Sequence, residues 1–206
     1  MFHVVLFSGG LDSVTLAYHT LYTKCKEGDT LMLHSFDTYE YISQAQHSDS
    51  VREIIADICM KGAEEKVNVS YTRNYCNVRE YNGSENAYVA YRNTLFIFNA
   101  LHTYQGVENV NIYLGAIDNQ VEGFGDCTPE FVDAINKLIK VQGEKAELLA
   151  PFVHLTKYDI LLIANSFNIP VEKTWSCIHP KITLNGFAPC RDCIKCKERE
   201  DLGIKI

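Results

Sequence analysis

Two stretches of this 206-residue chain combine residue types and spacings that suit chemistry. The first is FSGGLDSVTLA, Phe7 to Ala17. Gly9 and Gly10 let the backbone turn tightly and bring its N–H groups against an anion. Ser8 and Ser13 add hydroxyl donors, and a helix starting at Asp12 adds the partial positive charge of its amino end. Asp12 sits oddly in such a ring, because a carboxylate repels phosphate unless a cation stands between them. The loop therefore reads as a cradle for a nucleotide polyphosphate with Mg²⁺. Ser8, Gly9, Gly10, Leu11, Asp12 and Ser13 are the residues that would bind it. The pattern is neither GxxxxGKS nor GxGxxG, and it has no lysine. A plain strand-to-helix turn capped by serine or aspartate is the simpler alternative.

The second stretch holds Cys190, Cys193 and Cys196 in a C-x2-C-x2-C pattern, with Cys177 upstream. Such spacing lets thiolates converge on one ion, and the fourth sulfur completes the tetrahedron that Zn²⁺ prefers. An iron–sulfur cluster draws on the same kind of four-cysteine set and is the main competitor. Four thiolates leave no open coordination position, so the role is structural, fixing a loop over the first site. Lys195, Lys197 and Arg199 are placed to offset the thiolate charge. The remaining cysteines, Cys25, Cys59, Cys76 and Cys127, read as small buried hydrophobes.

These residues need a frame to hold them. His3–Phe7 is a continuous apolar run, as expected of a strand buried on both faces, and Asp12 opens a helix. Thr30–Phe36 reads as a second strand, Ser50–Gly62 as an amphipathic helix and Lys66–Tyr71 as an alternating strand. Tyr91–Tyr104 is a helix apolar enough to be largely buried, and Asn109–Gly115 another strand. Thr128–Val141 opens on Thr-Pro-Glu, and Thr156–Phe167 opens on a threonine with Asp159 three residues on, both sound helix starts. Strands alternating with helices predict an α/β fold with a doubly wound, mostly parallel sheet. Residues 1–170 read as the α/β domain that carries the phosphate loop. Residues 171–206 change character and read as a small zinc-binding region packed on it.

Composition narrows the function classes. With 47% hydrophobic and 22% charged residues the chain is ordinary for a globular protein. A net charge of −7 and a pI near 5.5 argue against tight, non-specific binding to a nucleic-acid backbone. No signal peptide or membrane-spanning run is read, which gives a cytoplasmic protein with reduced or metal-bound cysteines.

SGGxDS after a first buried strand resembles the PP-loop of the ATP pyrophosphatases, which split ATP into AMP and pyrophosphate. Taken with Arg92–Asn93, GFGDCTPEF (Gly123–Phe131), PFVHLTKYDI around Lys157, TWSC (Thr174–Cys177) and CRDCIKCKER (Cys190–Arg199), the chain resembles the 7-cyano-7-deazaguanine synthase family of queuosine-precursor synthesis. The likeness runs over most of its length. It implies ATP, Mg²⁺ and Zn²⁺ as cofactors, and 7-carboxy-7-deazaguanine and ammonia as small-molecule substrates. The product would be the nitrile, reached through adenylated acid and amide intermediates. It also implies a homodimer, with no membrane or direct nucleic-acid partner. Lys157 joins Asp12 and Ser13 as a catalytic candidate. Arg92, Asn93, Gln120, Glu122, Asp126 and Glu130 are candidates for substrate contacts. A surface salt bridge is the alternative for Arg92 and Lys157, and helix capping for Asp126 and Glu130.

The chain also departs from the family pattern. Where members read DYSGYPDC or DFSGYPDC, this chain has QVEGFGDC, with Gln120 and Glu122. Ala90 and Tyr91 replace Pro-Gly, Arg191 replaces a glycine, and DTYEYISQAQH after Phe36 is longer than the usual DYGQxH. The chain is compact for the family, as a viral or divergent member would be. Competing readings are a PP-loop enzyme that stops at the amide or uses another amine, a tRNA-modifying PP-loop enzyme, and a non-catalytic nucleotide-binding protein.

Overall fold

A computed structural model of the chain describes residues 1–38, 48–78, 89–117, 124–184 and 186–205. Its centre is a five-stranded sheet of order β3-β2-β1-β4-β5 in which every pairing is parallel. The strands are β1 (Phe2–Leu6), β2 (Thr30–Asp37), β3 (Asn68–Tyr75), β4 (Val110–Tyr113) and β5 (Ala146–Leu149). The chain builds outward from β1 to β3, then returns to place β4 on the other side of β1. Strand order therefore reverses between β1 and β4. In open α/β sheets the crevice beyond the carboxyl ends at such a point is where ligands bind.

Helices α1 (Leu11–Thr23), α2 (Asp49–Glu64) and α5 (Lys157–Ser166) lie on one face of the sheet. Helices α3 (Arg92–Thr103) and α4 (Pro129–Val141) lie on the other. Alternation along β1 explains both cores: Val5 points to the first, with Val14, Leu33, Ile54 and Ile160, while Val4 and Leu6 point to the second, with Ile97, Ile112 and Ile139. Each fully buried aliphatic side chain of this kind contributes roughly 2 kcal/mol of transfer free energy. Thr128 caps α4 by accepting from Phe131 N–H at 3.2 Å, and Thr156 and Asp159 form a complete capping box on α5.

Some elements differ from the sequence expectation. Helix α3 is not largely buried: only Ile97 and Ala100 are shut off and Leu95 is exposed, because an outer-layer helix seals one stripe against the sheet. Of the four scattered cysteines Cys76 is buried, and the other three are half-buried. The short edge strand β5, carrying Glu147, has too little apolar pattern to be read from sequence.

The tail contains an antiparallel hairpin, β6 (Lys181–Thr183) with β7 (Gly186–Ala188), and helix α6 (Ile194–Asp201). Its Ile204, Leu202 and Trp175 join the core that α1 fills. Among the described residues no helix is long and apolar enough to cross a membrane.

Candidate nucleotide site and cysteine cluster

The loop from Ser8 to Ser13 leaves β1 at the point where strand order reverses. Its root is fixed by Phe7, whose N–H donates to His34 O at 2.8 Å and whose carbonyl accepts from Ser35 Oγ at 2.5 Å. Gly9 adopts φ +76°, a left-handed conformation that suits glycine. The serines then fold the loop on itself. Ser13 Oγ accepts from Ser8 N–H at 3.1 Å and donates to Gly10 O at 3.2 Å, and the two hydroxyls lie 3.1 Å apart. Gly10 is the N-cap of α1 and offers no side-chain cap, so the first-turn amides face the loop without a built-in acceptor. That arrangement is suited to an anion.

Asp12 stands in the first turn of α1. Its Oδ2 accepts from Lys157 Nζ at 2.5 Å, while its Oδ1 is buried and accepts no hydrogen bond from the described residues. A buried carboxylate oxygen without a partner costs free energy unless something else satisfies it, and it fits a divalent cation. Lys157 is the first residue of α5, so the Thr156–Asp159 capping box sets the direction from which it enters. Its Nζ is also 3.8 Å from Glu198 Oε2 on α6, and Lys195 Nζ is 3.7 Å from the same oxygen.

The tail touches the loop directly. Trp175 N–H donates to Gly9 O at 2.8 Å, and a Cβ on Gly10 would come within 3.3 Å of Trp175 O. Nearby, Cys177, Cys190, Cys193 and Cys196 bring their sulfurs within 4.8 Å of one another, an arrangement that can hold a metal ion. Cys190 Sγ accepts from Asp192 N–H at 3.5 Å and Cys193 N–H at 3.3 Å, and Cys177 Sγ accepts from Cys190 N–H at 3.2 Å. Burial pushes the Cys190 thiol up, but the Asp192 and Cys193 amides together with the neighbouring Cys193 and Cys177 thiols outweigh it and hold the thiol down to about 7; burial raises Cys177 and Cys196.

The three basic residues expected to offset the thiolates also engage other groups, and of them Arg199 feels the charge of Cys196. Lys195 pairs with Glu198, and Lys197 with Asp192 at 3.3 Å. Arg199 is buried, and although it lies close enough to feel Cys196, its guanidinium is spent on Thr174 Oγ1 at 2.6 Å, Val171 O at 3.1 Å and Lys205 O at 3.3 Å. It pins α6 to the turn before TWSC.

A second group forms where α3 begins. Asn93 Nδ2 donates to Asp126 O at 3.2 Å and lies 3.7 Å from Cys127 Sγ, which is 3.8 Å from Asp126 Oδ1. Burial first, and then the Asp126 charge, push the Cys127 thiol up to about 11, with Arg92 and Asn93 pulling the other way. Cys127 is thus a neutral thiol. Glu130 is exposed in the first turn of α4, beyond the Thr128 cap. Gln120 and Glu122 lie outside the described residues.

Three participants escaped sequence reasoning. Glu198 left only a weak trace, its spacing of three from Lys195. The Trp175 backbone bond to Gly9 left none. Gly115, just past β4, would set a Cβ 3.4 Å from Ser13 N, so the strand on the far side of the crevice reaches the loop.

A family model described as Queuosine biosynthesis protein QueC matches residues 3–203. The chain belongs to the QueC family. Its relatives in that family include the 7-cyano-7-deazaguanine synthase of Leptospira interrogans, 28% identical over 96% of this chain and 84% of that protein. Another is the 7-cyano-7-deazaguanine synthase of Campylobacter fetus, 31% identical over 95% of this chain and 89% of that one. QueC relatives are thus enzymes by name, and the residues 3–203 that the family model matches include both the loop and the four cysteines. A solved 4-thiouridine synthetase–RNA complex with bound ATP aligns at TM-score 0.55 and 16% identity over 98% of this chain. This QueC chain spans 49% of that protein's chain, and the likeness is one of fold alone.

Proposed function

We propose that this QueC-family protein uses ATP and ammonia to convert 7-carboxy-7-deazaguanine to 7-cyano-7-deazaguanine. The observation that carries the proposal is the Ser8–Ser13 loop at the strand-order reversal, headed by a carboxylate with one buried oxygen that has no partner among the described residues. A carboxylate is a poor electrophile, and transfer of AMP to its oxygen, with release of pyrophosphate, supplies a leaving group. Ammonia then displaces AMP and loses a proton to give the amide. A second AMP transfer to the amide oxygen, followed by loss of AMP and of both protons from the nitrogen, leaves the nitrile.

Each residue has a part in this scheme. The amides from Gly9 to Ser13 and the hydroxyls of Ser8 and Ser13 hold the phosphates, and Asp12 faces the metal. Mg²⁺ with the nucleotide supplies charge neutralisation on the departing pyrophosphate. Lys157, beside Asp12, offsets phosphate charge, and Arg92 the charge of the substrate carboxylate or AMP. Asp126 accepts from the N–H edge of the deazaguanine, helped by Glu130, Gln120 and Glu122, while Asn93 holds the Asp126 turn in place. The net charge of −7 supports a free base rather than RNA as the substrate.

The four cysteines hold Zn²⁺. Sulfurs around one tetrahedral zinc are about 3.8 Å apart, given Zn–S bonds of about 2.3 Å. The separations of 3.6 Å for Cys177–Cys190 and 3.9 Å for Cys190–Cys196 support one ion over a four-iron cube, which spreads its ligands further.

The test incubates zinc-loaded protein with ATP, Mg²⁺, ammonium and 7-carboxy-7-deazaguanine and follows products by mass spectrometry. AMP and the nitrile are expected. AMP with only the amide would overturn the product, and no AMP would overturn the reading. Asp12→Asn should abolish AMP formation and leave zinc content unchanged; turnover in that variant would remove the metal-facing role of Asp12.

A further inference from the structure

Lys157 is shared by two carboxylates on different helices. Its Nζ is 2.5 Å from Asp12 Oδ2 on α1 and 3.8 Å from Glu198 Oε2 on α6, and Lys195 steadies Glu198 at 3.7 Å. The four side chains are only 23–28% exposed, so their attractions are screened less than those of surface pairs. Asp12 is half committed: one oxygen is covered by an ammonium and the other is buried without a partner among the described residues. A dication approaching that carboxylate meets the repulsion of the lysine. The lysine must therefore shift, and Glu198 already stands within reach of its flexible stem.

We propose that Glu198 is a positioning residue that takes up the Lys157 ammonium when the Asp12 carboxylate turns to Mg²⁺ bound with a nucleotide. This rests on the nucleotide reading of the loop and goes beyond it. Asp12 is released for the metal, while Lys157 stays in the site, anchored from α6, with its charge available to the phosphates. The place of Glu198 is set by the tail: it follows Cys196 by two residues, and the adjacent Arg199 locks α6 through three hydrogen bonds. The cysteine cluster thereby fixes the second acceptor of the lysine, as well as the Trp175 bond to the loop.

Trp175 is the chain's single tryptophan and its backbone is bonded to Gly9, so its fluorescence reports on the loop. The experiment titrates metal-loaded protein with α,β-methylene-ATP, first without Mg²⁺ and then with increasing Mg²⁺. Glu198→Gln should weaken the apparent Mg²⁺ affinity roughly tenfold, as loss of an outer-shell partner does. Nucleotide affinity without Mg²⁺ and the metal content of the cysteine site should be unchanged. In a Lys157→Met background the Glu198→Gln change should have no further effect on Mg²⁺ affinity, and Glu198→Asp should recover part of it. Wild-type Mg²⁺ affinity in Glu198→Gln, or an equal loss with and without Lys157, would overturn the proposal alone. Loss of cysteine-site metal in Glu198→Gln, with no recovery in Glu198→Asp, would make the effect structural and overturn it too. A wild-type protein whose Trp175 does not respond to the nucleotide at any Mg²⁺ concentration would overturn the loop reading together with this proposal.

Discussion

Tyr91 and Arg191 both stand where the family pattern has glycine, and both keep a left-handed backbone, with φ +62° and +65°. A side chain there costs roughly 1 kcal/mol, so the turn is required by its surroundings and not by the residue now occupying it. Tyr91 is the N-cap of α3, immediately before Arg92 and Asn93, and Arg191 follows the metal-ligand candidate Cys190. Burial has a different consequence at His34, which is fully enclosed and hydrogen-bonded through Nδ1 to the Tyr104 hydroxyl at 2.8 Å. Desolvation lowers its pKa from 6.5 to about 4. The unfolded chain therefore binds a proton near 6.5 that the folded chain refuses until about 4, and stability falls as pH drops through that window. The contribution is complete above the window and amounts to roughly 3 kcal/mol across it. Urea midpoints measured between about pH 7.5 and about pH 4.5 check this. His34→Leu should flatten part of the slope, the rest coming from His3 and His19, which burial shifts the same way.

At the scale of elements, helix starts were the most legible feature. Thr128-Pro-Glu and Thr156 with Asp159 announce α4 and α5, and the structure forms both caps, because a cap is decided within four consecutive residues. The α5 cap also bears on the site, since Lys157 is its first helical residue. Thr156→Ala should cost about 1 kcal/mol in denaturant unfolding. The same variant should loosen Lys157 and lower the rate of AMP formation more than such a stability loss explains. Edge strand β5 and the tail hairpin were not legible: they are four and three residues a strand, and they exist through pairing with chain that is distant or exposed.

Across the whole molecule, the tail and the sheet act as one unit, since Trp175, Leu202 and Ile204 pack in the core that α1 fills and Trp175 bonds to the loop. Stripping the cysteine-bound metal should therefore lower stability and disturb the nucleotide site together. An ion held at about 100 times its Kd contributes about 2.7 kcal/mol. Its removal by chelator under reducing conditions should lower Tm by roughly 5–10 °C, measured by calorimetry. It should also weaken the Trp175 response to nucleotide; an unchanged response would separate tail from loop. By itself the sequence determined the parallel α/β class, the glycine- and serine-rich loop after the first strand and the four clustered cysteines, because each is written in residues close together in the chain. Only the tertiary structure decided that Lys157 lies between Asp12 and Glu198, that Arg199 serves as a strut, and that Asn93 holds the Asp126–Cys127 turn. Those pairs are separated by 145, 25 and 33 residues, as in Lys157–Asp12, Arg199–Thr174 and Asn93–Asp126, and no local pattern encodes which distant side chain a buried charge will meet.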